Sequence, residues 1–316
     1  MQQPQFERYG MATSFCVAGL TPRASQFLSD DFQRGLAGWN RERLSPQMIE
    51  PDWMDRLAAD QRMLRLEGDF LEELRREVAA RAAEAPDDAE SFLTWFEQLK
   101  VDGPGQGDPL FPWLAEEASR DALRWFFEQE AAGEAGFDDL VAYTQVKLPS
   151  QAKLELARNY WDEMGRGNAM GMHGPMLTVL AQTLAVDPRI ENTVWESLAL
   201  ANAMTAMATC RRYVWQSIGA LGVIEMTAPA RSALVAKGLR RIGLSDRERR
   251  YFDLHAVLDV KHSEAWNREA IAPLIAEDPR RAQPIAEGAL IRLACGAQCF
   301  ERYRTVLWAA EHEAKR

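Results

Sequence analysis

Apolar residues recur at helical spacing along almost the whole chain. Between 52 and 85, Trp53, Leu57, Met63, Leu66 and Phe70 stand among many charged residues, and this amphipathic pattern stops just before Pro86. A short helix is predicted at 88–99. Further helices are predicted over 112–132, 138–145, 149–164, 175–185, 188–221, 229–243, 246–276 and 280–313. Several open with Asp, Ser or Pro at or just before the first turn, where the N–H groups lack intrahelical partners. β-Branched residues seldom alternate with polar ones, so strands are not expected. The strongest interruption is Asp102-Gly-Pro-Gly-Gln-Gly-Asp-Pro109, whose glycines and prolines cannot continue a helix. The pattern reads as all-α, a helical bundle over 106–316 preceded by an accessory helical segment over 1–105.

Composition narrows this reading. A chain of 316 residues that is 47% hydrophobic can bury a substantial core in one large or two ordinary domains. A net charge of −10 without a basic stripe argues against nucleic acid as a partner. No apolar run is expected to reach the length of a membrane span, and the first residues lack a basic stretch followed by an apolar one. Cys16, Cys210, Cys295 and Cys299 show no C-x-x-C spacing. Cys295 and Cys299, one turn apart on an apolar face, fit core packing, and a reduced, cytoplasmic protein is expected.

The histidines change the picture. His255-Ala-Val-Leu-Asp259-Val-Lys-His262 is an H-x-x-x-D-x-x-H run inside a helical pattern. At about 100° per residue its three polar positions fall within roughly 60° on one helix face. Imidazole with carboxylate suits iron or manganese better than the hard cations that prefer all-oxygen shells. Glu163 and His173 frame a second segment containing Gly165, Gly167, Asn168 and Gly171. On one unbroken helix those two side chains would stand about 15 Å apart along the axis. The glycines therefore predict a break that brings them together, after which Pro175 starts a new helix. The methionines at 164, 170, 172 and 176 suit packing around such a centre better than a soft-metal site.

Two metals about 3.5–4 Å apart need around six protein ligands. Glu163, His173, His255, Asp259 and His262 supply five. Glu130 is the expected sixth, because it shares a stripe with Leu123, Phe126 and Phe127, and a carboxylate there is costly unless paired or metal-bound. Glu128 and Glu134 are the alternatives. No catalytic residue beyond these ligands is singled out. His312, between Glu311 and Glu313, reads as a solvated residue.

A glutamate, then E-x9-H, then H-x-x-x-D-x-x-H resembles the pattern of the heme-oxygenase-like diiron oxidases and oxygenases. Residues 154–168 also look like the sequence these proteins carry around their second-helix glutamate, and the resemblance covers about 112–315. It implies a heme-oxygenase-like bundle with an N-terminal extension, two irons that rest as Fe(II), and O2 as co-substrate. An external electron donor is an option. The outcomes it implies are N-oxygenation of an amine-type nitrogen in natural-product biosynthesis, which is favoured, oxidative C–C cleavage of a fatty or amino acid to an alkene, or synthesis of a small aromatic. A small molecule is the expected partner, with a homodimer left open. A heme- or iron-binding helical protein stands as the alternative from another class. A ferritin-like store would use Glu-x-x-His pairs, which the chain lacks.

Overall fold

The computed structural model describes residues 26–49, 51–133 and 136–314. Cys16 and Glu134 lie outside them, and so does the side chain of His312. Among the described residues there are helices and no strands. In chain order these are α1 (Asp30–Leu44), α2 (Trp53–Ala82), α3 (Ala89–Asp102), α4 (Leu110–Glu116), α5 (Arg120–Gly133), α6 (Phe137–Thr144) and α7 (Ser150–Glu163). They continue with α8 (His173–Leu184), α9 (Trp195–Thr209), α10 (Val214–Arg241), α11 (Arg250–Ala265), α12 (Ala272–Glu277) and α13 (Ala282–Ala314).

Some helix starts follow local capping chemistry. Ser29 Oγ accepts the Phe32 N–H and Asp88 the Ser91 N–H, which caps α1 and α3. The predicted helix over 112–132 is two helices, because Ser119 Oγ accepts the Ala122 N–H and starts α5 afresh. The carbonyls exposed at that junction, Ala115 and Ala118, are taken by Arg241. The predicted helix over 188–221 also breaks. Cys210 is extended, and the turn that follows lets Arg211 donate to the carbonyls of Tyr143 and Thr144 and Arg212 to Glu72. Pro229, expected to start a helix, lies inside α10. Its missing N–H leaves the Glu225 carbonyl without the usual partner four residues on.

α10 is the central element and packs along α11 and α13, with α4 across it. By length and composition Arg211–Arg241 would pass as a membrane span, contrary to expectation. Sixty-one per cent of its most apolar window is buried inside the protein, as the central helix of a packed bundle requires. The seam with α13 is made by glycine on both sides. A Cβ on Gly219 would collide with the Ile285 carbonyl, and one on Gly288 with the Gln216 carbonyl. Against α11 the close approach is at Gly222, where a Cβ would stand 2.7 Å from the Trp266 indole, whose N–H donates to the Ile218 carbonyl at 3.2 Å. Trp266–Ile271 is a π-helical turn at the end of α11 that rotates Trp266 into this position.

The described residues before 105 share the core. Phe27, Leu36, Phe70, Leu71, Phe92 and Phe96 belong to the same buried cluster as α10 and α13. Buried polar ties reinforce it: Asn202 donates to Gln33, and Glu287 takes hydrogen bonds from Arg75 and Gln216.

Gly219→Ala and Gly288→Ala should each destabilise the fold by about 1–3 kcal/mol, because the helices must separate. Gly68→Ala, at an open helical position, should stabilise it by about 0.5–1 kcal/mol. Chemical denaturation of the three variants checks this; equal effects at all three glycines would refute the close-packed seam.

Candidate metal centre

α7 ends at Glu163, and α8 begins at His173. Between them the chain makes two short turns, with positive φ at Gly165, Arg166 and Gly167. Met164 and Met172 form an antiparallel bridge, so the residues outside it on either side are forced together. Oε2 of Glu163 lies 2.5 Å from Nδ1 of His173 as a result. Gly165 is required twice over: its φ is +60°, and a Cβ would run into the Gly171 backbone. The helix break expected from the glycines is present.

α11 presents His255, Asp259 and His262 on one buried face, as their spacing predicts. Nδ1 of His255 donates to the Tyr251 carbonyl at 2.7 Å, leaving Nε2 for the interior. The His255 ring centroid lies 4.5 Å from that of His173. His262 is oriented the other way round. Nε2 donates to Asp162 Oδ2 at 3.0 Å, and Asp162 is held in turn by Arg166. Nδ1 of His262 faces Glu225 Oε2 at 3.4 Å and Asp259 Oδ1 at 4.0 Å. Hydrogen bonds of this kind on the outer nitrogen fix the tautomer and aim of a ligating imidazole.

Glu225, on α10, is the carboxylate that sequence reasoning missed. It is 2% exposed and accepts a hydrogen bond from Asn159 Nδ2 at 2.5 Å. Two triads have donor atoms all within 4.8 Å of one another: Glu163 with His173 and His255, and Glu163 with Glu225 and His262. Glu163 is common to both. Glu130 enters neither. It lines the same cavity, but its carboxylate is hydrogen-bonded with the Tyr303 hydroxyl on α13. Glu128 is half-buried on the same helix.

The buried nitrogens fit a cation. Nδ1 of His173 and Nδ1 of His262 have no aligned hydrogen-bond partner although carboxylate oxygens face both. Burial pushes Glu163 up to about 8, and burial lowers His173 to about 4. That pair therefore shares a single proton at neutral pH without metal. Burial opposes charge on His262, but hydrogen bonds and charges from Glu225 and Asp162 outweigh it and raise its pKa to about 9. Carboxylates and imidazoles converging at this density are the donor set of an iron site.

A family profile described as iron-containing redox enzyme matches residues 124–297, more than half of the chain. The chain belongs to the iron-containing redox enzyme family. Its all-α architecture agrees with the heme-oxygenase-like fold expected from the motifs, and the family makes it an oxidoreductase. A search of curated proteins finds no match. The family match spans Glu163, His173, Glu225, His255, Asp259 and His262, so both triads lie within it.

Two outcomes follow. At pH 7 the metal-free protein holds one proton on His262 and one on the Glu163–His173 pair, and a cation must displace both. Binding should thus strengthen as pH rises towards about 9 and level off above it. Calorimetry in buffers of different ionisation enthalpy should find about two protons released at pH 7; pH-independent binding without proton release would contradict the assignment. Gly165→Ala should keep the helical content by circular dichroism yet lower iron occupancy, since the bridge that joins Glu163 to His173 cannot close. Full occupancy in that variant would remove the loop from the argument.

Proposed function

We propose that this chain is a non-heme dinuclear-iron oxygenase or oxidase that activates O2 to oxidise a small metabolite. The observation that carries the reading is the position of Glu163, shared between two triads as a bridging carboxylate would be. Glu163, His173 and His255 would hold one iron, and Glu163, Glu225 and His262 the other, with Asp259 beside His262 at the same cavity. When bound, iron would supply the electrons and open coordination positions that O2 chemistry needs.

The chain's own residues define the rest of the reaction space. The Tyr251 carbonyl and Asp162 hold the outer nitrogens of His255 and His262, so neither ring can turn away when the proton on His262 leaves. Asn159 orients Glu225. The wall of the cavity beside these groups includes Phe126, Phe137, Leu200, Ile224 and Phe252. Such a lining accepts a small molecule and limits water at the reacting atom. The reaction we favour is N-oxygenation of an amine-type nitrogen, a preference supported by the motif resemblance. Oxidative C–C cleavage uses the same ligands and is the competing outcome.

Protein loaded anaerobically with Fe(II) should bind about two irons per chain. His255→Ala should abolish the first site and Glu225→Ala should leave about one iron, because Glu225 belongs to one triad only. The loaded protein should consume O2 faster than free Fe(II). One zinc per chain, full iron in both variants, or O2 uptake no faster than free iron would sink the proposal.

A further inference from the structure

The cavity that reaches the carboxylate and imidazole cluster carries the opposite charge at its other end. Glu225, Ala228, Arg231 and Val235 of α10 all line it, so they form a single helix face. Glu225 belongs to the cluster. Arg231 is six residues on, which places it about 9 Å further along the axis. Its guanidinium carbon lies 5.8 Å from the Phe111 ring centroid and 5.5 Å from that of Phe300, and those rings mark the arginine end.

A second guanidinium reaches that end from α13. Arg292 lines the cavity with Phe300. The point where Gly296 would carry a Cβ is 2.9 Å from Arg292 Nη1 and 3.8 Å from Phe300 Cζ. Arg292 Nε is buried and has no hydrogen-bond partner among the described residues. A buried N–H without an acceptor is destabilising, and a guanidinium offers its donors in the plane that a carboxylate fills. Glu130 also lines the cavity, and its carboxylate is hydrogen-bonded with the Tyr303 hydroxyl. Between the ends the wall is largely apolar.

We propose that Arg292 is the anchor for a carboxylate on the substrate, an acid with an apolar body whose opposite end reaches the iron ligands. This rests on the dinuclear-iron reading and deepens it. Arg292 and the iron ligands line one cavity from different helices, and a carboxylate held by the guanidinium is not on the metals, so oxidation falls away from the carboxyl carbon.

The test uses the full-length protein, both iron-free and loaded with Fe(II) without O2, titrated with octanoate and with octanamide. The acid should bind about tenfold more tightly than the amide in both forms, since a charge-assisted guanidinium pair is worth that much. Arg292→Gln should remove the preference and leave amide affinity unchanged, and Arg292→Lys should retain part of it. Should Arg292→Gln fail to fold, protection of Arg292 from phenylglyoxal by octanoate but not octanamide, mapped by mass spectrometry, reads the same contact in the unaltered chain. Equal affinities, no binding of either probe, no protection, or an acid preference that survives Arg292→Gln would each overturn the proposal. A preference that appears only with iron and ignores Arg292 would overturn it too, and would place the carboxylate on the metals. Because the iron-free arm needs no metal, failure of the anchor and failure of the iron site are separable.

Discussion

Burying Glu163, Glu225, Asp259, His173, His255 and His262 at the centre of an apolar bundle is the constraint on which the rest of the structure depends. An isolated buried carboxylate is strongly unfavourable, and several together repel one another. The metal-free fold offsets this in three visible ways. Burial favours the neutral forms of Glu163 and His173, which lie 2.5 Å apart, His262 stands between Glu225 and Asp162, which favour its charged form, and Asn159 donates to Glu225. Each compensation also aims a donor atom at a common volume. These devices are thus the ones a cation would displace or exploit, so proton release and metal affinity should be coupled.

Regular helices alone could not assemble this cluster. Ten residues separate Glu163 from His173, and only the bridge between Met164 and Met172, with left-handed backbone at Gly165, closes the distance. The opposite wall uses a different irregularity. The π-helical turn after His262 rotates Trp266 against Gly222, and the indole N–H binds the Ile218 carbonyl, which fixes α11 on α10 in the register that sets His262 opposite Glu225. The glycine seam at Gly219 and Gly288 holds α13 close enough to α10 for Arg292 and Phe300 to complete the cavity. The left-handed backbone at Gly165, Arg166 and Gly167 falls where side-chain geometry is most demanding.

Much of this was legible in the sequence, and the exceptions are physical. His255, Asp259 and His262 could be placed on one face because helical periodicity is local, and the loop could be inferred because glycine clusters have few other uses. Glu225 was not found, since it stands alone in the apolar run Gly-Val-Ile-Glu225-Met-Thr with no ligand at helical spacing. Its signal was its loneliness: one carboxylate in the middle of a helix apolar on every side must have a partner. Asp162 was hidden by its neighbour Glu163, which points about 100° away around the helix. Glu130 was expected as the sixth ligand; it lines the cavity but enters neither triad, because periodicity fixes a face and not the depth reached along it. The breaks at Ser119 and Cys210, and the run of α10 through Pro229, depend on distant partners such as Arg241, Tyr143 and Glu72. No local pattern encodes those.

The two-ended cavity bears on a question that the ligand set leaves open. Carboxylates and imidazoles of this kind serve several oxidations, so they do not decide which bond of a substrate is attacked. A fixed anchor does, because it converts molecular length into regiochemistry. On the binding mode proposed for Arg292, a substrate too short to reach from that guanidinium to the iron ligands would leave its reactive end away from the irons. One of the right length would present its terminal group to them. A carboxylate that binds guanidinium cannot also bind metal, so loss of the carboxyl carbon requires the reverse orientation, with an apolar tail against the Arg292 guanidinium. Desolvating Arg292 for no charge in return makes that orientation unfavourable. The same geometry favours oxidation of a nitrogen or carbon at the distal terminus.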